Sequence, residues 1–141
     1  MLIYFINSVL IASAVLIHYE MLRWISLLIP RLNIRPRLRV LLGVFGALTA
    51  HVTQIWLFGI AYYWMSICEE LGRLTGNTNG SLMDSVYFSF TTYTSLGFGD
   101  IEPVGDLRFL AGLEALTGLV LIAWTASFMY LEMSKYWKGN R

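Results

Sequence analysis

Hydroxyls and glycines crowd one stretch of an otherwise apolar chain: Thr91-Thr92-Tyr93-Thr94-Ser95-Leu96-Gly97-Phe98-Gly99-Asp100. It sits between two long apolar runs. Non-helical backbone at membrane depth is tolerated only where protein or a water-filled cavity surrounds it, so this stretch must line a polar path. Glycines on either side of one aromatic let the chain reach dihedrals that other residues avoid. That freedom can turn successive carbonyls toward one axis, and a row of carbonyls with one hydroxyl can replace the water shell of a small monovalent cation. Other chemistry is not legible. There is no metal-ligand cluster, nucleophile–base pair, Gly-rich phosphate loop or basic-aromatic patch for nucleic acid. His51, Glu114 and Ser127 have no spacing that suggests a catalytic constellation. We therefore expect no enzyme, no cofactor, no organic substrate and no nucleic-acid partner.

The elements that must hold this stretch follow from composition and period. The chain of 141 residues is 57% hydrophobic and 13% charged, with a mean hydropathy of +0.61. Soluble domains carry about 25% charged residues, so the expected partner is a lipid bilayer. The first apolar run, Leu2 to Ile29, would reach roughly 42 Å as one helix, beyond the ~30 Å hydrocarbon core. The polar cluster His18, Glu20 and Arg23 favours placing its second half at the interface. Pro30 ends it, and Arg31, Arg35, Arg37 and Arg39 follow in a basic linker. A second span is expected over Val40 to Cys68, with Cys68 a small apolar filler, and then a polar loop of turns to Gly80. Ser81 precedes Asp84 by a capping-box spacing. This opens a short helix, Leu82 to Thr94, that dips into the membrane and stops. Its partly negative C-terminal end favours a cation. Glu102, Pro103 and Gly105 read as an outer turn, and Leu107 to Tyr136 as the third span.

Ser95-Leu96-Gly97-Phe98-Gly99-Asp100 resembles the selectivity filter of the potassium-channel pore family, whose usual form is Thr-Val-Gly-Tyr-Gly-Asp. Both glycines and the aspartate match, and Ser95 keeps the hydroxyl. Leu96 and Phe98 depart from the pattern, and Phe98 lacks the phenol hydroxyl. The resemblance covers about Val40 to Tyr136. It implies an all-α channel: three transmembrane helices plus a re-entrant pore helix and filter loop in each of four identical subunits. Passive K+ transport would run through the carbonyls of Thr94 to Phe98, with K+ held at Ser95, Leu96, Gly97 and Phe98, and Asp100 at the mouth. Gly118 falls at the family's hinge glycine, although close helix packing would also want a glycine there. From the same offset Leu119, Ile122 and Ala126 face the cavity. An acid or Trp often braces the filter aspartate in this family; here Tyr87 is the better candidate brace. A cation channel with poor potassium preference, or a non-conducting accessory subunit, are the competing readings.

Charge placement gives a layout. Lys and Arg accumulate in short cytoplasmic loops. With the 30–39 linker inside, eight of the ten basic residues lie inside (Arg23, Arg31, Arg35, Arg37, Arg39, Lys135, Lys138, Arg141). Outside lie six of the nine acids (Glu69, Glu70, Asp84, Asp100, Glu102, Asp106). The expected protein is a multi-pass plasma-membrane one, the inner membrane if bacterial, with its N-terminus outside and C-terminus cytoplasmic. Its divisions are an extra helix at 1–29, the linker at 30–39, the pore domain at 40–136 and a short tail at 137–141. No ligand-binding domain is expected after Tyr136. Glu114 is the carboxylate well inside the third span. Helical rotation turns it toward the pore helix and second span. There Tyr62 or Tyr63 and Ser89 or Thr92 lie at its depth, and His51 is too deep to reach it. It is expected to give buried support to the pore helix.

Overall fold

The computed structural model describes residues 1–137. Lys138, Arg141 and the expected tail beyond Trp137 lie outside the described residues. The chain is a membrane protein, with four α-helices among the described residues: α1 (Leu2–Leu28), α2 (Pro36–Ile67), α3 (Leu82–Tyr93) and α4 (Leu107–Trp137). α1, α2 and α4 are long and apolar enough to cross a bilayer. A 3-10 turn, Ile29–Arg31, follows α1. α2 begins at Pro36, four residues earlier than expected. Proline suits the first helical turn because its missing N–H would have had no partner there. Ser81 caps α3, its hydroxyl accepting from the Asp84 N–H at 3.1 Å.

Further expectations change. The first concerns α1, which is one unbroken helix packed along α2 and α4. His18 is fully buried, and Leu22 and Ile29 are buried beyond it. At ~100° per residue, Glu20 lies on nearly the opposite side from His18. The polar trio is therefore not one surface: Glu20 and Arg23 pair at 3.1 Å on the exposed face of α1. Close approach is possible because α2 buries a stripe of small residues, Gly43, Ala47 and Ala50, ending at Gln54. The Ile25 side chain lies against Gly46 so closely that a Cβ there would meet it at 2.8 Å. Small residues at such faces are how membrane helices gain van der Waals contact.

The second change is at the loop end, where turns were expected. β1 (Arg73–Gly76) pairs antiparallel with β2 (Ile101–Val104), Arg73 opposite Val104 and Gly76 opposite Ile101. This short ribbon brackets α3 and the stretch after it. Gly76, at φ +102°, sits against the Asp100 carbonyl where no side chain fits. The core lies between α2, α3 and α4, around Phe58, Tyr62, Tyr93, Leu107 and Leu110. Cys68, expected as apolar filler, is exposed at the end of α2.

Candidate functional site

α3 ends inside the bundle. Gly118 lies eleven residues into α4, about 17 Å along its axis, and there it meets the carbonyl of Tyr93. Thr94 closes the helix with its N–H on the Phe90 carbonyl at 3.2 Å. The chain then reverses its φ at every second residue: Ser95 at 60°, Gly97 at 53° and Gly99 at 76°. Ser95 is the one non-glycine with positive φ among the described residues, a conformation that L-residues adopt at a cost. In an extended strand successive peptide groups face opposite sides. Alternating the hand of φ is the backbone device that gathers successive peptide groups on one side. The Ser95 N–H bonds the Thr92 carbonyl at 2.9 Å and the Gly97 N–H bonds the Thr91 carbonyl at 3.0 Å, which tie this loop to α3. Leu96 and Phe98 turn away from their own chain and are 64% and 66% exposed.

The far end of the loop is held from two directions. The Asp100 carbonyl accepts the Asn77 N–H at 2.7 Å, beside the ribbon. The Tyr87 hydroxyl donates to Asp100 Oδ2 at 2.9 Å. That bond to a carboxylate raises the pKa of the Tyr87 phenol. Phe88 packs edge-on to Tyr62, and Thr91 turns its hydroxyl back to the Phe88 carbonyl, so the hydrogen bond to Asp100 comes from Tyr87. At the head of α3, the Asn79 N–H and the Thr78 hydroxyl donate to Asp84 and hold its carboxyl below the usual range.

Behind α3 lies Glu114, fully buried. Tyr62 donates to its Oε2 at 2.6 Å, and Ser89 lies 2.5 Å from its Oε1. Ser89 also reaches the Ile55 carbonyl at 2.9 Å. One hydroxyl proton cannot serve both acceptors, and a proton on Oε1 would satisfy all three groups. Thr92 and Tyr63 take no part among these bonds. Gly118 faces α3: a Cβ there would run into the Tyr93 carbonyl, so this glycine is needed for contact whatever else it does. Leu119, Ile122 and Ala126 point outward and are exposed on the single chain.

A second polar cluster includes His18, whose partners the sequence reasoning did not assign. His51 Nδ1 lies 2.9 Å from the Tyr93 hydroxyl and its Nε2 lies 2.9 Å from Thr125 Oγ1. Buried His18 joins them from α1. A usable signal was present. Counting ~1.5 Å per residue from the starts of their helices puts His18 and Thr125 at about 24 and 27 Å, one shared depth.

A family model described as an ion channel matches residues 39–134. The chain belongs to this ion-channel family. As such it is a non-enzymatic membrane protein. Among curated relatives, it is 46% identical over 48 residues to Protein LctB of Geobacillus stearothermophilus, covering 34% of this chain and 36% of that one. It is 37% identical over 80 residues to the inward rectifier potassium channel Kirbac3.1 of Paramagnetospirillum magnetotacticum, covering 56% of this chain and 25% of that one. The chain thus spans about a third or less of the length of these two relatives. No solved structure is a significant match.

Proposed function

We propose that this ion channel is potassium-selective and conducts K+ passively as a homotetramer. The observation that carries the reading is the alternation of φ at Ser95, Gly97 and Gly99, at the C-terminal end of a half-buried helix. One such loop cannot surround an ion; four around a fourfold axis can. The carbonyls of Thr94 to Phe98 and the Ser95 hydroxyl then take the place of water around K+, with sites at Ser95, Leu96, Gly97 and Phe98 and Asp100 at the mouth. Exposure of Leu96, Phe98, Leu119 and Ile122 on the single chain supports further subunits around it. In that assembly Leu119, Ile122 and Ala126 line the cavity, and Gly118 marks where α4 bends. The pore module is residues 40–136, preceded by an extra helix at 1–29 and a cytoplasmic linker at 30–39. The N-terminus lies outside and the C-terminus inside, in the plasma membrane.

A poorly selective cation channel is the second reading, because Phe98 offers no hydroxyl to brace the filter. The reversal potential of purified protein in planar bilayers, with K+ on one side and Na+ on the other, decides between them. Strong displacement toward the K+ equilibrium potential is expected, and a reversal near zero would overturn potassium selectivity.

A further inference from the structure

A closed ring of hydrogen bonds joins α1, α2, α3 and α4. It has five members: Gln54 to His18, His18 to Thr125, Thr125 to His51, His51 to Tyr93, and Tyr93 back to Gln54. The first four distances are 2.9, 3.2, 2.9 and 2.9 Å. His18, Gln54 and Tyr93 are fully buried.

The direction of each bond can be worked out. The Gln54 amide nitrogen reaches both His18 Nδ1 and the Ala14 carbonyl. A carbonyl only accepts, so Gln54 donates on this side, and His18 Nδ1 must accept. A neutral imidazole that accepts at one nitrogen donates at the other. His18 Nε2–H therefore donates to Thr125 Oγ1. The Thr125 proton is then free for His51 Nε2, which leaves His51 Nδ1–H to donate to the Tyr93 oxygen. Tyr93 gives its own proton to the Gln54 carbonyl oxygen. Every donor finds an acceptor, and the ring closes in one sense only. It requires both histidines neutral, in opposite tautomers: His18 protonated on Nε2 and His51 on Nδ1.

Tyr93 is the last residue of α3, directly before Thr94 and Ser95. We propose that His18, on the extra first helix, is a positioning residue for the ion filter, acting through this ring on Tyr93. The proposal rests on the carbonyl-filter reading, but the ring does not. α1 is then more than an anchor: its rotation or axial shift reaches the filter through the phenol of Tyr93.

Two measurements test it. Nitrogen-15 spectra of histidine-labelled protein in lipid read the tautomers of the two histidines without any current. Opposite neutral tautomers are expected; a shared tautomer, or an imidazolium at neutral pH, would overturn the ring. The second is a double-mutant cycle on His18→Leu and Tyr93→Phe, read as K+/Na+ reversal potential and mean open time. If His18 acts through Tyr93, the single changes are not additive, and the double variant behaves like Tyr93→Phe alone. Additive effects, or singles that assemble and conduct like wild type, would overturn the positioning role. Wild-type protein that shows the expected tautomers yet carries no cation current would instead overturn the filter reading, and the positioning role with it.

Discussion

The Tyr62 hydroxyl and the Glu114 carboxyl meet at 2.6 Å, joining α2 to α4 behind the short helix α3. Ser89 on α3 completes the junction at 2.5 Å. Glu114→Gln keeps a group that can donate and accept, so assembly and most of the current are expected to survive. Glu114→Leu leaves Tyr62 and Ser89 facing an alkyl group. A buried unsatisfied polar group costs about 1–3 kcal/mol, which should appear as a lower melting temperature in detergent. Current against pH is the check on role. A steep wild-type response that vanishes in Glu114→Gln would make this carboxyl a proton sensor instead of a brace.

Gly97 and Gly99 have no neighbour within 4 Å of where a Cβ would stand. Their constraint is the backbone, at φ 53° and 76°. Alanine there costs about 1–2 kcal/mol in the left-handed region, too little to unfold the chain and enough to displace the loop. Gly97→Ala and Gly99→Ala are expected to assemble normally and lose K+ current. Wild-type K+ conduction in either variant contradicts the carbonyl-filter proposal.

Gly118→Ala is expected to lose stability, because its Cβ meets the Tyr93 backbone and not a yielding side chain. A purely hinge-bending glycine would change open probability and leave melting untouched. Thermal unfolding of the purified variant distinguishes the two.

Single-cysteine labelling tests the orientation. Ile34→Cys in a Cys68→Ser background should react only from the cytoplasmic side. Reaction from outside intact cells would invert the proposed topology.

The pH limits of the loop end follow from Asp84 and Tyr87. The Asp84 pKa is lowered, chiefly by the Asn79 N–H. Its contribution is therefore present above the ordinary value of 3.8 and lost as pH falls through the lowered one. The Tyr87 pKa is raised, chiefly by its bond to Asp100. Its contribution is present below 10.0 and lost as pH rises through the raised value. Tyr87→Phe should remove the alkaline limit of channel activity at this end and Asp84→Asn the acid one. Activity against pH that is unchanged in both variants would separate these bonds from function.

What could be read from the sequence depended on whether helical geometry left a single reading open. Glu114 could be matched to Tyr62 and Ser89 because helical rise and rotation fix depth and direction within one element. Helical rise also puts His18 at the depth of Thr125, but a polar residue late in a long span suits an interface equally well, and that reading displaced the buried one. The ribbon was hidden because four-residue strands, one ending in Gly76 and the other containing Pro103 and followed by Gly105, look like turns. At Gly118 a hinge and a close contact ask for the same residue, and only the position of the Tyr93 carbonyl tells them apart.

The ring through His18 also dictates an order of birth. Gln54 follows His18 by 36 residues, so α1 and α2 can pair as soon as the second helix leaves the ribosome. Thr125 comes 107 residues after His18. At roughly 5–20 residues per second, His18 waits several seconds with one nitrogen unpaired inside the nascent hairpin. A hairpin of α1 and α2 formed at that stage would hold a polar group that only the last helix satisfies. A fault in α1 would be felt at the translocon before any channel existed to conduct.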